Sequence, residues 1–322
     1  MKPFTLLPVR SLPEAARESA RPGSLVKAGG VDLLDRMKEG LDAPDRVVSI
    51  AHVPGHDGIA VGPPGRIGAL ATLAKLDGHA ELRRVYPALA DAAGGAATPQ
   101  IRNMATLGGN LAQRPRCWYY RQAEFDCRKK AGAECFALEG ENRFHAIFDT
   151  EVCCCVHPSA TATALVAYGA RIETLSPKGK RSIAIEDFFV APREDPRREN
   201  QLGPGEIIEA IVLPAPAPGS RSVYKKLKEK ETFDWPLVEA CVAVTVAGGT
   251  IRDARVVLGS VAPTPHRSRE AEKVLAGARP SPELVARAAE AAVAGATPLG
   301  QNVYKVRLAR VMVERALREA LA

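Results

Sequence analysis

The spacing of apolar residues shifts repeatedly along the chain, and each shift marks an element. A short apolar strand opens the sequence, and Ser11-Leu12-Pro13-Glu14 then has the Ser-x-x-Glu pattern of a helix start, with Pro tolerated in the first turn. In SLVKAGGVDLLDRMKEG the pattern predicts a strand ending at Lys27, a Gly-Gly turn, and a helix with Leu33, Leu34 and Met37 on one face. Residues 45–61 read as two short β stretches broken by Pro54-Gly55. IGALATLAKL leads into another helix, and Tyr86 to Ala93 forms a further one closed by Gly94-Gly95. The loop LGGN, residues 107–110, then introduces a segment rich in charge and poor in periodicity. Regular structure resumes at Thr161, where ATALVAYGARIETL and RSIAIEDFF predict a helix and then strands, followed by the polar loop APREDPRRENQLGPGE.

After Ala215-Pro216-Ala217-Pro218 the composition changes. Strands around YKKLKEK, VEACVAVTVAG and IRDARVVLGSV precede two helical stretches, one opened by Ser281-Pro282-Glu283 and one running from about Lys305 to the end. Strands followed by helices predict a separate α+β unit over residues 216–322. A chain of 322 residues exceeds what one hydrophobic core usually supports, so two or three packed units are expected. Apolar content of 46% and charged content of 25% are those of a soluble globular protein. The formal net charge is +7, but Lys and Arg are scattered among acids and aromatics are few, so no nucleic-acid partner is expected and a docking face for a protein is at least as good a reading. Pro3, Pro8 and Arg10 interrupt the opening residues before any sustained apolar run, which predicts neither a signal-peptide core nor a membrane span.

Two glycine pairs carry candidate chemistry. AGGVD, residues 28–32, offers backbone N–H groups to an anion at the start of a helix, whose positive end faces it. QIRNMATLGGN adds a second close-approach pair with Thr106 and Asn110, whose side chains suit phosphate or ribose oxygens. Either turn alone is ordinary. The cysteines are less so: six of seven lie between Cys117 and Cys155, while Cys241 sits in an apolar stretch that reads as a buried strand. A disulfide framework belongs mostly to small secreted domains, so a metal site is the better expectation for a chain of this size. Zinc is the main rival for any other metal group here, although structural zinc usually shows paired Cys-x2-4-Cys ligands and the intervals here are long and unequal.

SLVKAGGVDLL, then TPQIRNMATLGGNL, then GSVAPTPHRSREAE together resemble the FAD-binding subunits of the xanthine dehydrogenase and carbon monoxide dehydrogenase family, over essentially the whole chain. The resemblance implies a two-subdomain FAD-binding fold plus the C-terminal α+β domain: 1–60 as the N-terminal FAD-binding subdomain, 61–215 as the second with an insertion at 115–157, and 216–322 as the last. It further implies that FAD is held by Val26, Lys27, Ala28, Gly29, Gly30, Val31, Asp32, Leu33 and Leu34 and by Thr106, Gly108, Gly109 and Asn110, with Ile208 and Lys226 approaching the flavin ring. After His157-Pro158-Ser159 such chains usually carry an acid that reaches the flavin nucleotide; here the position is Ala160.

The cysteine segment resembles the insertion in the FAD subunits of periplasmic aldehyde oxidoreductases, and more distantly that of 4-hydroxybenzoyl-CoA reductase. That resemblance implies a [4Fe–4S] cluster on Cys117, Cys127, Cys135 and Cys153, with Cys154 and Cys155 as competitors for the last place. Arg116, Arg128, Lys129 and Lys130 then either stabilise the anionic cluster or form a solvated loop face. The implied role is an electron-transfer subunit beside a molybdenum-cofactor large subunit and a [2Fe–2S] small subunit, serving an external electron acceptor. Substrate oxidation falls to a partner, with aldehydes the expected class and an aromatic acyl-CoA or a purine the alternatives. A self-contained flavin oxidoreductase needs an acid–base residue and a substrate pocket that the sequence does not display, and a cofactor-free scaffold leaves the glycine turns and cysteines unexplained. The expected compartment is the cytoplasm by default, with the periplasm open through co-export on a partner's signal.

Overall fold

The N-terminal residues form β1 (Thr5–Pro8), β2 (Ser24–Lys27) and β3 (Arg46–Ser49), with β1 and β2 both parallel to the central β3. Parallel neighbours need crossovers, and the helices Leu12–Ser19 and Leu33–Lys38 supply them. Ser11 starts the first by accepting from the Glu14 N–H at 3.3 Å, while the Glu14 carboxylate reaches back to the Arg10 N–H at 2.8 Å. The computed structural model describes all 322 residues.

A second, antiparallel sheet has the order β4-β5-β8-β6-β7, from β4 (Ile59–Ala60), β5 (Gly65–Gly68), β6 (Arg171–Ser176), β7 (Gly179–Ala184) and β8 (Ile207–Leu213). β4 already pairs with β5, so this sheet reaches slightly ahead of the border expected at residue 60. The helices Pro87–Gly94 and Ala160–Tyr168 lie against the strands 220–227, 238–247 and 250–259 and share a core with this sheet that includes Leu89, Leu165, Ile172 and Ile211. RSIAIEDFF does not stay extended: β7 ends at Ala184 and Ile185–Phe188 makes one helical turn that buries Ile185 and Phe188.

The C-terminal unit is an antiparallel sheet, β12-β11-β10-β9, built from β9 (Ser220–Leu227), β10 (Val238–Ala247), β11 (Thr250–Gly259) and β12 (His266–Arg267). The helices Arg269–Leu275, Pro282–Ala291 and Tyr304–Leu321 pack with it. Strand alternation divides β10 between two cores. Ala240, Val242 and Val244 pack toward these helices, whereas Cys241, buried as expected, faces the second unit.

Between Gln113 and Pro158 the regular elements are a helical turn, Trp118–Arg121, and a 3-10 turn, Arg128–Lys130. Side chains anchor this segment. Lys305 is fully buried and its Nζ donates to the carbonyls of Phe144, His145 and Ser260 at 3.2, 3.0 and 2.7 Å. Asn302 Nδ2 donates to Ala146 O at 2.9 Å. No helix of the chain is long and apolar enough to cross a membrane.

Candidate functional site

A cleft of about 480 Å³ opens where the three units meet. Val26, Lys27, Ala28, Gly29, Gly30, Val31, Asp32 and Leu33 form one wall, Thr106, Gly109 and Asn110 a second, and Lys226 and Glu239 a third. The geometry of the glycine pair explains its composition. A Cβ on Gly29 would stand 1.8 Å from the Met104 carbonyl oxygen, so the turn abuts the segment before LGGN backbone to backbone, and Gly30 has a φ of +81° that favours glycine. LGGN itself is not a loop. It is the first turn of a helix, Leu107–Leu111, capped by Thr106, whose Oγ1 accepts from Gly109 N at 3.1 Å.

Three predicted residues stand away from the cleft lining. Leu34 packs beside Leu33 and Met37, and Gly108 donates its N–H to Ala69 O at 2.9 Å where a Cβ would meet Ala69 at 2.9 Å. Ile208, on β8 opposite Thr174, is buried in the core of the second unit and does not line the cleft.

The polar groups left in the cleft suit an extended dinucleotide with an anionic centre. Asn110 Oδ1 accepts from the hydroxyls of Ser159 and Thr161 at 2.7 and 2.6 Å, which leaves its amide nitrogen as the unengaged donor. Lys27, Arg36 and Arg116 supply positive charge along the same lining. Lys226 Nζ donates to Gly95 O at 2.8 Å, and burial lowers its pKa. The Glu239 carboxyl is buried, and that burial raises its pKa against the hydrogen bond from Tyr224.

The cysteines gather around a second, much smaller cavity, lined by Cys117, Cys127, Cys135, Cys153 and Cys155 together with Tyr119, Tyr120 and Phe136. All seven cysteines are free thiols, so no disulfide framework is formed. Cys154 packs among Ala137 and Ala146, with its Sγ 3.5 Å from that of Cys135. His145 Nε2 lies 3.2 Å from Cys117 Sγ, and burial pulls its pKa down to about 4. No group of three or more His, Cys, Asp or Glu side chains converges on one metal-ion position. The basic neighbours are not a uniformly solvated face. Lys129 is buried and donates to Glu199 at 2.7 Å, and Arg128 donates to the Ala133 and Val152 carbonyls at 3.1 and 2.9 Å.

One carboxylate ties the two sites together. Asp32, at the end of the glycine turn, pairs with Arg36, with Arg116 at 2.9 Å and with Arg121 at 2.8 Å, and accepts from the Arg114 N–H at 3.1 Å. Burial opposes its ionisation, but the arginines outweigh burial and hold its carboxyl below the ordinary value. Arg116 lines the cleft and Cys117 lines the thiol cavity, so consecutive residues belong to the two sites.

Residues 3–216 match the family described as FAD binding domain in molybdopterin dehydrogenase, and residues 222–320 match the CO dehydrogenase flavoprotein C-terminal domain. The aldehyde oxidoreductase FAD-binding subunit PaoB of Escherichia coli (strain K12) is 37% identical over 329 aligned positions, covering 100% of this chain and 99% of that protein. The carbon monoxide dehydrogenase medium chain of Hydrogenophaga pseudoflava is 30% identical, covering 97% of this chain and 95% of that one. In three dimensions, a chain of the Cu,Mo-CO dehydrogenase in its cyanide-inactivated form superposes with a TM-score of 0.79 at 26% identity, covering 100% of this chain and 99% of that chain.

Proposed function

Since the chain belongs to the FAD-binding subunits of molybdenum-hydroxylase complexes, of the aldehyde oxidoreductase and carbon monoxide dehydrogenase type, we propose that it relays electrons between two centres of its own, FAD and a [4Fe–4S] cluster. The observation that carries this reading is the step from Arg116 to Cys117: one residue lines the cofactor cleft and the next lines the thiol cavity. Consecutive Cα atoms are about 3.8 Å apart, so one stretch of backbone borders both sites.

In the cleft, the glycine turn from Val26 to Leu33, with Thr106, Gly109, Asn110 and Lys226, would hold FAD. Backbone N–H groups and the Asn110 amide would donate to its diphosphate and hydroxyl oxygens. When bound, FAD supplies the conversion between one-electron delivery and two-electron discharge. At the thiol cavity, Cys117, Cys127, Cys135 and Cys153 would ligate the cluster. Cys155 competes for the last place, because it lines the cavity as Cys153 does, whereas Cys154 packs with alanines. Five soft sulfur donors around one cavity suit an iron–sulfur cluster better than a hard cation, and the buried Lys129 offsets anionic charge beside them.

The same reading places a molybdenum-cofactor large subunit and a [2Fe–2S] small subunit beside the chain, with aldehydes as the substrate class of the assembly and an external acceptor at the flavin. The likeness to the E. coli aldehyde oxidoreductase subunit favours aldehydes over a purine or an aromatic acyl-CoA. The test compares the partner-free chain with the reconstituted complex, using an aldehyde and an artificial dye acceptor in both. The complex should turn over and the isolated chain should not. Comparable turnover by the partner-free chain would overturn the relay and favour a self-contained flavoenzyme.

A further inference from the structure

A carboxyl lines the cofactor cleft at a position that neither glycine turn accounts for. Glu239 is 1% exposed, and strand alternation puts it with Cys241 on the side of β10 that faces the second unit. Its Oε1 accepts from the Tyr224 hydroxyl at 2.6 Å, and Thr163 Oγ1 donates to its Oε2 at 3.4 Å. Its register partners are Lys226 on β9 and Gly259 on β11. Gly259 is what makes room, since a Cβ there would lie 2.2 Å from Glu239 Oε2 and 2.5 Å from Thr163 Oγ1. Burying a carboxyl is costly, so a glycine that vacates its space and a tyrosine that orients it amount to a built site.

The cleft lining around this carboxyl narrows what it contacts. Ala160, at the position where chains of the resembled family usually carry an acid, lines the same cleft and opens the helix whose Thr163 touches Glu239. A carboxylate repels a diphosphate, which belongs at the glycine turns, and attracts hydroxyl and N–H donors. Lys226, its neighbour across the sheet, is the residue read as standing on the flavin side.

We propose that Glu239 binds the riboflavin half of FAD, accepting a hydrogen bond from a ribityl hydroxyl or ring N–H, and so supplies from the C-terminal sheet the acid that Ala160 does not. The inference rests on the FAD reading of the cleft. It makes Glu239 a cofactor-positioning residue and makes the three units joint owners of the site.

The experiment strips FAD from the full chain and titrates it with FAD and with ADP, which carries only the other half of the cofactor. Glu239→Gln should weaken FAD by roughly tenfold to a hundredfold, the range for a lost hydrogen bond to a charged group, while ADP affinity stays at the wild-type value. It should also shift the visible spectrum of the bound flavin. Adding Ala160→Asp to Glu239→Gln should recover much of the loss, whereas Ala160→Asp alone crowds two acids and should weaken FAD. Wild-type affinity and spectrum in Glu239→Gln, or an equal loss toward ADP, overturns the proposal. Should Glu239→Gln not fold, Tyr224→Phe and Ala160→Asp decide, because unchanged FAD affinity in both is equally fatal to it. A wild-type chain that binds ADP and FAD equally weakly sinks the FAD reading itself, a different result from any of these.

Discussion

The cofactor cleft is walled by strands and capped helices, whereas the thiol cavity beside it is walled by chain with one helical turn and one 3-10 turn. The cleft owes its form to backbone: Gly29 against the Met104 carbonyl, Thr106 capping Gly109, and a sheet row of Lys226, Glu239 and Gly259. The cavity owes its form to side chains that reach in from elsewhere, such as Lys305, Asn302 and the Asp32 arginine cluster. The difference implies different dependence on what is bound. A site built on hydrogen-bonded backbone keeps its shape when empty, while a loop with little ladder of its own would gain order from a group held by its cysteines.

The sharpest way to break that contrast is Gly29→Val. With the Cβ position 1.8 Å from Met104 O, the glycine turn must separate from the adjoining segment, and FAD content should fall to traces while iron content holds in the folded protein. Near-stoichiometric FAD in that variant would show that the turn does not shape the site. Serine at Cys117, Cys127 or Cys135 should do the reverse, removing iron and acid-labile sulfide and lowering the Tm while most FAD stays. Parallel loss of FAD would mean that the two regions fold as one.

Between these extremes stands Asp32→Asn, which strips three arginines of a shared carboxylate at the seam. Breaking a largely buried pair of this kind should cost about 2–4 kcal/mol in urea unfolding. The pH dependence has a definite sign. Asp32 has a depressed pKa in the folded state, so its contribution is present above the unfolded value of about 3.9 and is lost as pH falls through the lower folded value. The wild-type advantage over Asp32→Asn should therefore shrink on acidification. The smallest effect belongs to Cys154→Ser, which should leave iron content unchanged because Cys154, although its Sγ lies 3.5 Å from that of Cys135, does not line the cavity. Comparing Cys153→Ser with Cys155→Ser then sharpens the ligand assignment, since only one of the two should lose iron.

Local signals carried much of the fold. The Ser11 cap, the strand ending at Lys27, the Pro54-Gly55 break and the Ser281 helix start are each decided by neighbours a few residues away, and each stands as its residues imply. LGGN misleads because glycines suggest a loop, while the Thr106 cap that makes it a helical turn is visible only as a weak Thr-x-x-Gly spacing. Ile208 stands on a strand, β8, that buries apolar side chains along most of its length, and the sequence does not say which side meets a cofactor. Glu239 was illegible for a related reason. Within VEACVAV it interrupts a buried strand, but its cleft position comes from alternation along β10, and its room and neighbours from pairing with β9 and β11. The cysteine spacing pointed to one cluster of thiols, yet three consecutive cysteines could be told apart only by where each side chain packs.

Whether one chain carries both FAD and an iron–sulfur cluster in adjoining sites is decided by counting both in the same anaerobically purified sample. FAD released on denaturation, iron, acid-labile sulfide and zinc are measured per chain. About one FAD with about four iron and four sulfide, the content of one cubane, and little zinc are expected. Stoichiometric zinc without sulfide, or full FAD with no iron in protein never exposed to oxygen, would contradict that expectation.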